Sequence, residues 1–321
     1  MTPIRTGSHI RHHLVLGGGG LLGTSMVRML ASSGVNVAVP RNVSWSDPET
    51  ARQQLSVQIE SFLAGTEGRP WTVHWCAGKA TVRSTSEVAE VEKQLLDFVL
   101  QNFDSHESQS SLADGTIMFT SSAGGVYAGS QDPPFDEGAE PIPNSPYGFA
   151  KLEMERRLIE WCSRHGTRLL IARVSSVYGS QQDIGKAQGL LSHVLRAALL
   201  RQPLTLFVPF STTRNYVSAD DAAALILRHV DEDWSGARVA NICAPYNVSV
   251  ATLLRATELV TRKRVPIRQV ISDASRHESL DLRVTTRFTK LLSQEVRTPL
   301  HVGIHKLMSH AIRTLQTPDA H

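Results

Sequence analysis

The segment SPYGFAK places Tyr147 four residues before Lys151, at the start of a helical pattern. Residues with that spacing share a helix face. An ammonium beside a phenol stabilises phenolate, so the phenol can give or take a proton at a carbonyl or hydroxyl. The spacing is common and needs a partner. FTSSAGGVYAG offers one, an apolar run that ends in hydroxyls and glycines. It puts Ser121 or Ser122 at the C-terminal end of a strand, where open α/β sheets keep their ligands. A serine there can hydrogen-bond the reacting oxygen. The plainer alternative is that the serines only shape a turn.

A second cluster lies near the start. VLGGGGLLGTSMVRML sets four glycines between an apolar run and an amphipathic run. Strand, glycine turn and helix in that order suit a dinucleotide. The glycines allow a tight turn and close approach of a pyrophosphate, which the free N–H groups of a helix start can receive. Gly18, Gly20 and Gly23 fit one register of the pattern, and Gly17, Gly20 and Gly23 fit another. Leu21 and Leu22 then open the helix. At the end of the second strand, where an NAD site carries an acid for the ribose 2′-hydroxyl, the chain reads VAVPRN. Arg41, helped by Asn42, suits a 2′-phosphate instead. NADP(H) is therefore favoured over NAD(H).

These groups need a scaffold. The 321 residues allow one large domain or two joined ones, and 41% hydrophobic with 20% charged residues is ordinary for a globular enzyme. Short apolar runs alternate with helical patterns: HHLVLG, VNVAVP, WTVHWCAG, GTIMFTSSAGG and RLLIARVSSVYG read as strands. Asp47 and Pro48 mark one helix start, and Gly34 one helix end. Such alternation implies a parallel sheet with helices on both faces. The pattern loosens from Ser180. Residues 1–10 read as a loose tail. Residues 11–179, with 213–243 returning, form the nucleotide-binding part, and 180–212 with 244–321 form a smaller mixed α/β lobe.

The balance of 33 basic and 30 acidic residues, net +3, shows no basic stripe and argues against nucleic acid. No apolar run is long enough for a membrane span, and the first residues lack a signal-peptide core. Three scattered cysteines fit a reducing cytoplasm and no metal site.

Taken together, GGGGLLG, TSSAGGVYAG, SPYGFAK, ARVSSVYG and RNYVSADDAA come in the order and spacing of the extended short-chain dehydrogenase/reductases. The chain most resembles their NAD(P)-dependent epimerase/dehydratase branch, which works on nucleotide sugars. The resemblance runs from about His13 to about Leu307. It implies a Rossmann-like, doubly wound parallel sheet with a C-terminal substrate lobe. It implies a catalytic set of Ser122, Tyr147 and Lys151, with Tyr147 as acid/base and Lys151 holding the nicotinamide ribose. It implies cofactor contacts at Ala77 and Gly78, more weakly at Lys79, and at Val177. Arg214 and Arg276 would meet the substrate diphosphate, while Asp220 or Asp221 would cap a helix. Such enzymes often form homodimers through two helices, here the one over EVEKQLLDFVLQNF and the one after Tyr147.

Departures from the pattern bear on substrate. Glu92 stands where the family has asparagine, and Ser176 replaces a substrate-facing asparagine. A strand usual near Arg69 is missing. Ala123 and Gly124 replace the acid pair of dehydratases, so reduction or epimerisation ranks above dehydration. The alternatives are a reductase of a small non-nucleotide ketone and a non-catalytic NADP-binding sensor or scaffold.

Overall fold

The computed structural model describes residues 11–40, 43–45, 47–106, 109–185, 189–270 and 279–316. The tail expected over 1–10 lies outside these residues, as do Arg41, Asn42 and Arg276. The first half runs β1 (His12–Leu16), α1 (Leu21–Ser32), β2 (Asn36–Ala38), α2 (Pro48–Thr66), β3 (Trp71–Trp75), α3 (Ser86–His106), α4 (Gln109–Ala113), β4 (Gly115–Ser122), α5 (Ala123–Val126), α6 (Pro146–His165) and β5 (Arg168–Val174). The second half runs β6 (Ser176–Tyr178), α7 (Leu190–Leu200), β7 (Leu204–Leu206), β8 (Thr213–Ser218), α8 (Ala219–Asp231), β9 (Ala237–Ile242), β10 (Asn247–Ser249), α9 (Val250–Thr261), β11 (Ile267–Gln269), β12 (Asp281–Leu282), α10 (Thr289–Glu295) and α11 (Leu300–Gln316).

The main sheet is parallel, with six strands in the order β2-β1-β3-β4-β5-β9. The strand order reverses between β1 and β3, and such a switch point opens a crevice at the C-terminal ends of the strands. Alternate residues of each strand serve opposite faces. Val15, Met118, Leu170 and Ala172 pack with Met26 of α1 and Ile226 of α8. Leu14, Leu16, Trp71 and Trp75 pack with Leu55 and Ile59 of α2, Phe103 of α3 and Leu158 of α6. Each fully buried side chain of that size contributes roughly 1.5–3 kcal/mol. Among these apolar groups, His13 Nδ1 lies 3.0 Å from His74 Nε2. Burial holds both imidazoles below their usual range, His13 at about 4.

Local signals set several boundaries. Asp47 accepts from Thr50 N–H ahead of Pro48. Ser145 accepts from Gly148 N–H ahead of Pro146. Gly34 follows the α1 C-cap, Ser33, with a left-handed φ of 72°.

Three expectations are corrected. The strand read across VNVAVP covers only Asn36–Ala38, since β2 is a short edge strand that ends before Pro40. The single strand read across RLLIARVSSVYG breaks at Ser175, whose hydroxyl donates to Asn215. Beyond it β6 leaves the sheet and pairs with β8. In the returning stretch, β9 joins the main sheet, whereas β8 is the centre of a second sheet with β10 and β12. The lobe has its own core of Tyr178, Leu195, Leu253, Ile304 and Leu307. Among the described residues no helix is long and apolar enough to cross a membrane.

Candidate active site

The glycine turn joins β1 to α1. Gly17 has φ 81°, a left-handed value that favours glycine. A Cβ on Gly17 would stand 2.5 Å from Ala77 N, and one on Gly23 would stand 2.1 Å from Gly17 O. Gly20 is the α1 N-cap and has no side-chain cap, and the first turn carries no acid. The N–H groups of Leu21, Leu22 and Gly23 therefore lack intrahelical acceptors, and the helix dipole favours an anion there. A Cβ on Gly18 would stand 2.5 Å from Val39 Cγ1, a side chain, whereas those on Gly17 and Gly23 would meet backbone. Gly19, by contrast, has open space around it.

Gly23→Ala should cost roughly 1–3 kcal/mol, because the clash is with backbone that cannot swing away. Gly19→Ala should be near neutral in the same urea titration. Equal stabilities would show that the tight packing at Gly23 has no energetic weight.

The segment after β3 runs against this turn. Cys76 N–H donates to Leu16 O at 2.8 Å, which brings Ala77 onto Gly17. Burial pushes the Cys76 thiol up to about 12, so it is no thiolate nucleophile. Ala77 is buried and Gly78 is exposed.

The adjacent strand, β4, ends at Ser121 and Ser122. Ser121 is buried and donates to Glu155. Ser122 is half-buried and accepts from Gly125 N–H at 3.1 Å as the N-cap of α5. In that bond the Ser122 hydroxyl acts as acceptor, whereas the Ser121 hydroxyl is used as a donor. The Ser122 hydroxyl thus shapes the turn, the plainer role of a serine at this place.

Tyr147 and Lys151 lie in the first turns of α6. A Cβ on Gly125 would stand 3.0 Å from Tyr147 Cε1 and 3.3 Å from Ser122 Cβ, so the ring lies against the α5 turn near Ser122. Gly148 makes that seating possible, since a Cβ there would meet Gly125 O at 2.3 Å. Lys151 is 4% exposed. Its Nζ lies 5.7 Å from the Tyr147 ring centroid and 5.1 Å from that of Phe119. Glu92 of α3 completes the cluster, with Oε2 3.4 Å from Lys151 Nζ.

Sequence reading missed roles for Gly125, Gly148 and Phe119, and it noted Glu92 only as a departure. The glycine beside Tyr147 in SPYGF was the available signal for tight seating.

The remaining expected residues lie on β6, β8 and α8. Val177 of β6 is half-buried against the core. Gly179 sits where a Cβ would lie 3.2 Å from Leu21 Cδ1, so this segment comes down on the start of α1. Arg214 of β8 donates to the carbonyls of Thr213 and Ser279. The α8 cap is Ser218, not Asp220 or Asp221. Asp221 accepts from Thr298 N–H, and Asp220 binds Ser25 and Arg28 of α1. Among the described residues no cluster could hold a metal ion.

Comparison with known proteins gives this geometry a context. The family described as "NAD dependent epimerase/dehydratase family" matches residues 13–243. The chain belongs to that family. It is 26% identical to the UDP-glucose 4-epimerase of Lacticaseibacillus casei over 281 residues, covering 78% of this chain and 82% of that protein. It is 20% identical to the dTDP-4-dehydro-6-deoxyglucose reductase of Escherichia coli, covering 79% of this chain and 83% of that protein. A crystal structure of UDP-glucose 4-epimerase with UDP-glucose, from Thermotoga maritima, shares the fold. Its TM-score is 0.78 at 22% identity, covering 95% of this chain and 99% of that one. As a member, the chain is an enzyme of the extended short-chain dehydrogenase/reductase type.

Proposed function

We propose that this enzyme is a nicotinamide-dependent epimerase or reductase of a nucleotide-linked sugar. One observation carries the reading. A continuous line of contacts runs from Gly17 through Ala77 and Gly78 to Glu92, then to Lys151 and Tyr147. It links an anion-receiving turn to a proton-transferring pair.

The residues fit a dinucleotide. The uncapped N–H groups of Leu21, Leu22 and Gly23 would receive its pyrophosphate, with Ala77 and Gly78 beside them. Lys151 and Val177 would flank the nicotinamide end. When bound, the nicotinamide supplies or accepts hydride. Tyr147 Oη gives a proton to, or takes one from, the sugar oxygen whose carbon changes oxidation state. Ser122 Oγ–H holds that same oxygen. Lys151 supports the charge that develops on the phenol oxygen.

The name of the similar L. casei protein supports epimerisation, and that of the similar E. coli protein supports reduction. Ala123 and Gly124 offer no acid or base for loss of water, so dehydration ranks below both. NADP(H) is placed ahead of NAD(H) because of Arg41, although the family's description names NAD. Affinity for the two dinucleotides decides between them. A homodimer through α3 and α6, and a cytoplasmic setting for the three free thiols, complete the reading.

Arg214 and Arg276 are proposed for the substrate diphosphate. Arg214→Ala should lower kcat/KM for a nucleotide-linked ketosugar about 10–100-fold, the worth of a charge-assisted hydrogen bond. Turnover of a small ketone should be unaffected. The engagement of Arg214 with the Ser279 carbonyl favours the second reading, a reductase of a small non-nucleotide ketone. Unchanged kcat/KM with the nucleotide sugar would select that reading. Absorbance of the reduced nicotinamide separates a reductase, which consumes it, from an epimerase, which does not.

A further inference from the structure

Glu92 joins the two halves of the site. It is 9% exposed on α3. One carboxylate oxygen accepts from Ala80 N–H at 2.6 Å and would lie 3.1 Å from a Cβ on Gly78. The other lies 3.4 Å from Lys151 Nζ, itself 4% exposed. A lone buried ammonium would leave the pocket positively charged. With Glu92 ionised, the pair is net neutral.

That balance matters to a nicotinamide. The oxidised ring is a cation and the reduced ring is neutral. A buried positive charge disfavours the oxidised form, and a carboxylate beside it offsets the effect with little screening by water.

Resting on the dinucleotide reading above, we propose that Glu92 is a positioning residue that opposes the Lys151 charge and, relative to an uncompensated lysine, shifts the site toward the oxidised cofactor. The oxygen that accepts from Ala80 N–H holds the loop after β3 in place. An enzyme biased in this way begins its cycle by oxidising a sugar hydroxyl, which suits an epimerase more than a reductase.

The test is a binding measurement. Oxidised and reduced NADP and NAD are titrated into wild type and variants, with protein fluorescence or calorimetry as the readout. Glu92→Gln keeps the acceptor for Ala80 and loses the charge. The ratio Kd(oxidised)/Kd(reduced) should rise about tenfold, the size of one charge acting through partly screened protein. Glu92→Asp keeps the charge and should keep the ratio. In the double variant Glu92→Gln with Lys151→Met both charges are gone, and the ratio should return toward wild type. A residue that only braced the loop would show no such reversal. An unchanged ratio in Glu92→Gln, with wild-type binding intact, overturns this inference alone. Absence of saturable binding to wild type overturns the dinucleotide reading and this inference together.

Discussion

Tyr147→Phe should lower kcat by about 10²- to 10⁴-fold, the range a positioned proton donor or acceptor contributes. Phenylalanine keeps the ring that packs on Gly125, so the melting temperature should be unchanged. Only the oxygen is lost. Lys151→Met should also cut turnover, but it removes the partner of Glu92 and leaves a buried carboxylate unpaired. The tyrosine variant is therefore the cleaner probe. Steady-state rates with a nucleotide-linked sugar, beside thermal melts, provide the measurement. Undiminished turnover at equal stability would remove Tyr147 from the chemistry.

The second large effect is structural. Glu155, 2% exposed on α6, accepts from Arg173 Nε at 3.1 Å and Arg173 Nη2 at 2.6 Å, and also from Ser121. Burial works against the Arg173 charge, but its hydrogen bond and ion pair with Glu155 outweigh that and raise its pKa. Arg173 also donates to the Tyr127 hydroxyl at 2.9 Å. This cluster fixes α6, the helix of Tyr147 and Lys151, to β5 and to the end of β4. Glu155→Ala strands a buried guanidinium and should cost about 3–5 kcal/mol by urea denaturation. Replacing Glu155 and Arg173 together with methionine should recover much of that loss, since no charge is then left unpaired. If the double variant is as unstable as the single one, the stranded charge is not the cause.

What could be read from the sequence was what is local. Tyr147 with Lys151, and the glycine run with its flanking strand and helix, are short patterns whose chemistry depends on neighbours along the chain. The alternation of apolar runs and helical patterns foretold the parallel sheet for the same reason. Choosing among equivalent residues required three dimensions. Gly17 is distinguished from Gly18 by its φ of 81°, and Ser122 from Ser121 by the bond between Ser121 and Glu155. Glu92 looked like a lost asparagine because its partners, Ala80 and Lys151, come from separate segments. Asp220 and Asp221 resembled caps because acids suit a helix start, but the Ser218 hydroxyl does the capping. The break at Ser175 depends on Asn215, from a strand that the apolar pattern alone could not place.

The segment between α5 and α6 holds Asp136 and Glu137. Glu137 accepts from Asn241 N–H of β9 at 2.8 Å, from the Thr286 hydroxyl, and from Arg287 N–H at 2.8 Å. Asp136 pairs with the Arg287 guanidinium at 3.0 Å. The stretch that ties down the C-terminal lobe is thus the same one that spans from Ser122 to Tyr147. Any shift of the lobe tugs on the tether between the serine and the tyrosine. The seating of the lobe and the spacing of the two hydroxyls are therefore mechanically linked.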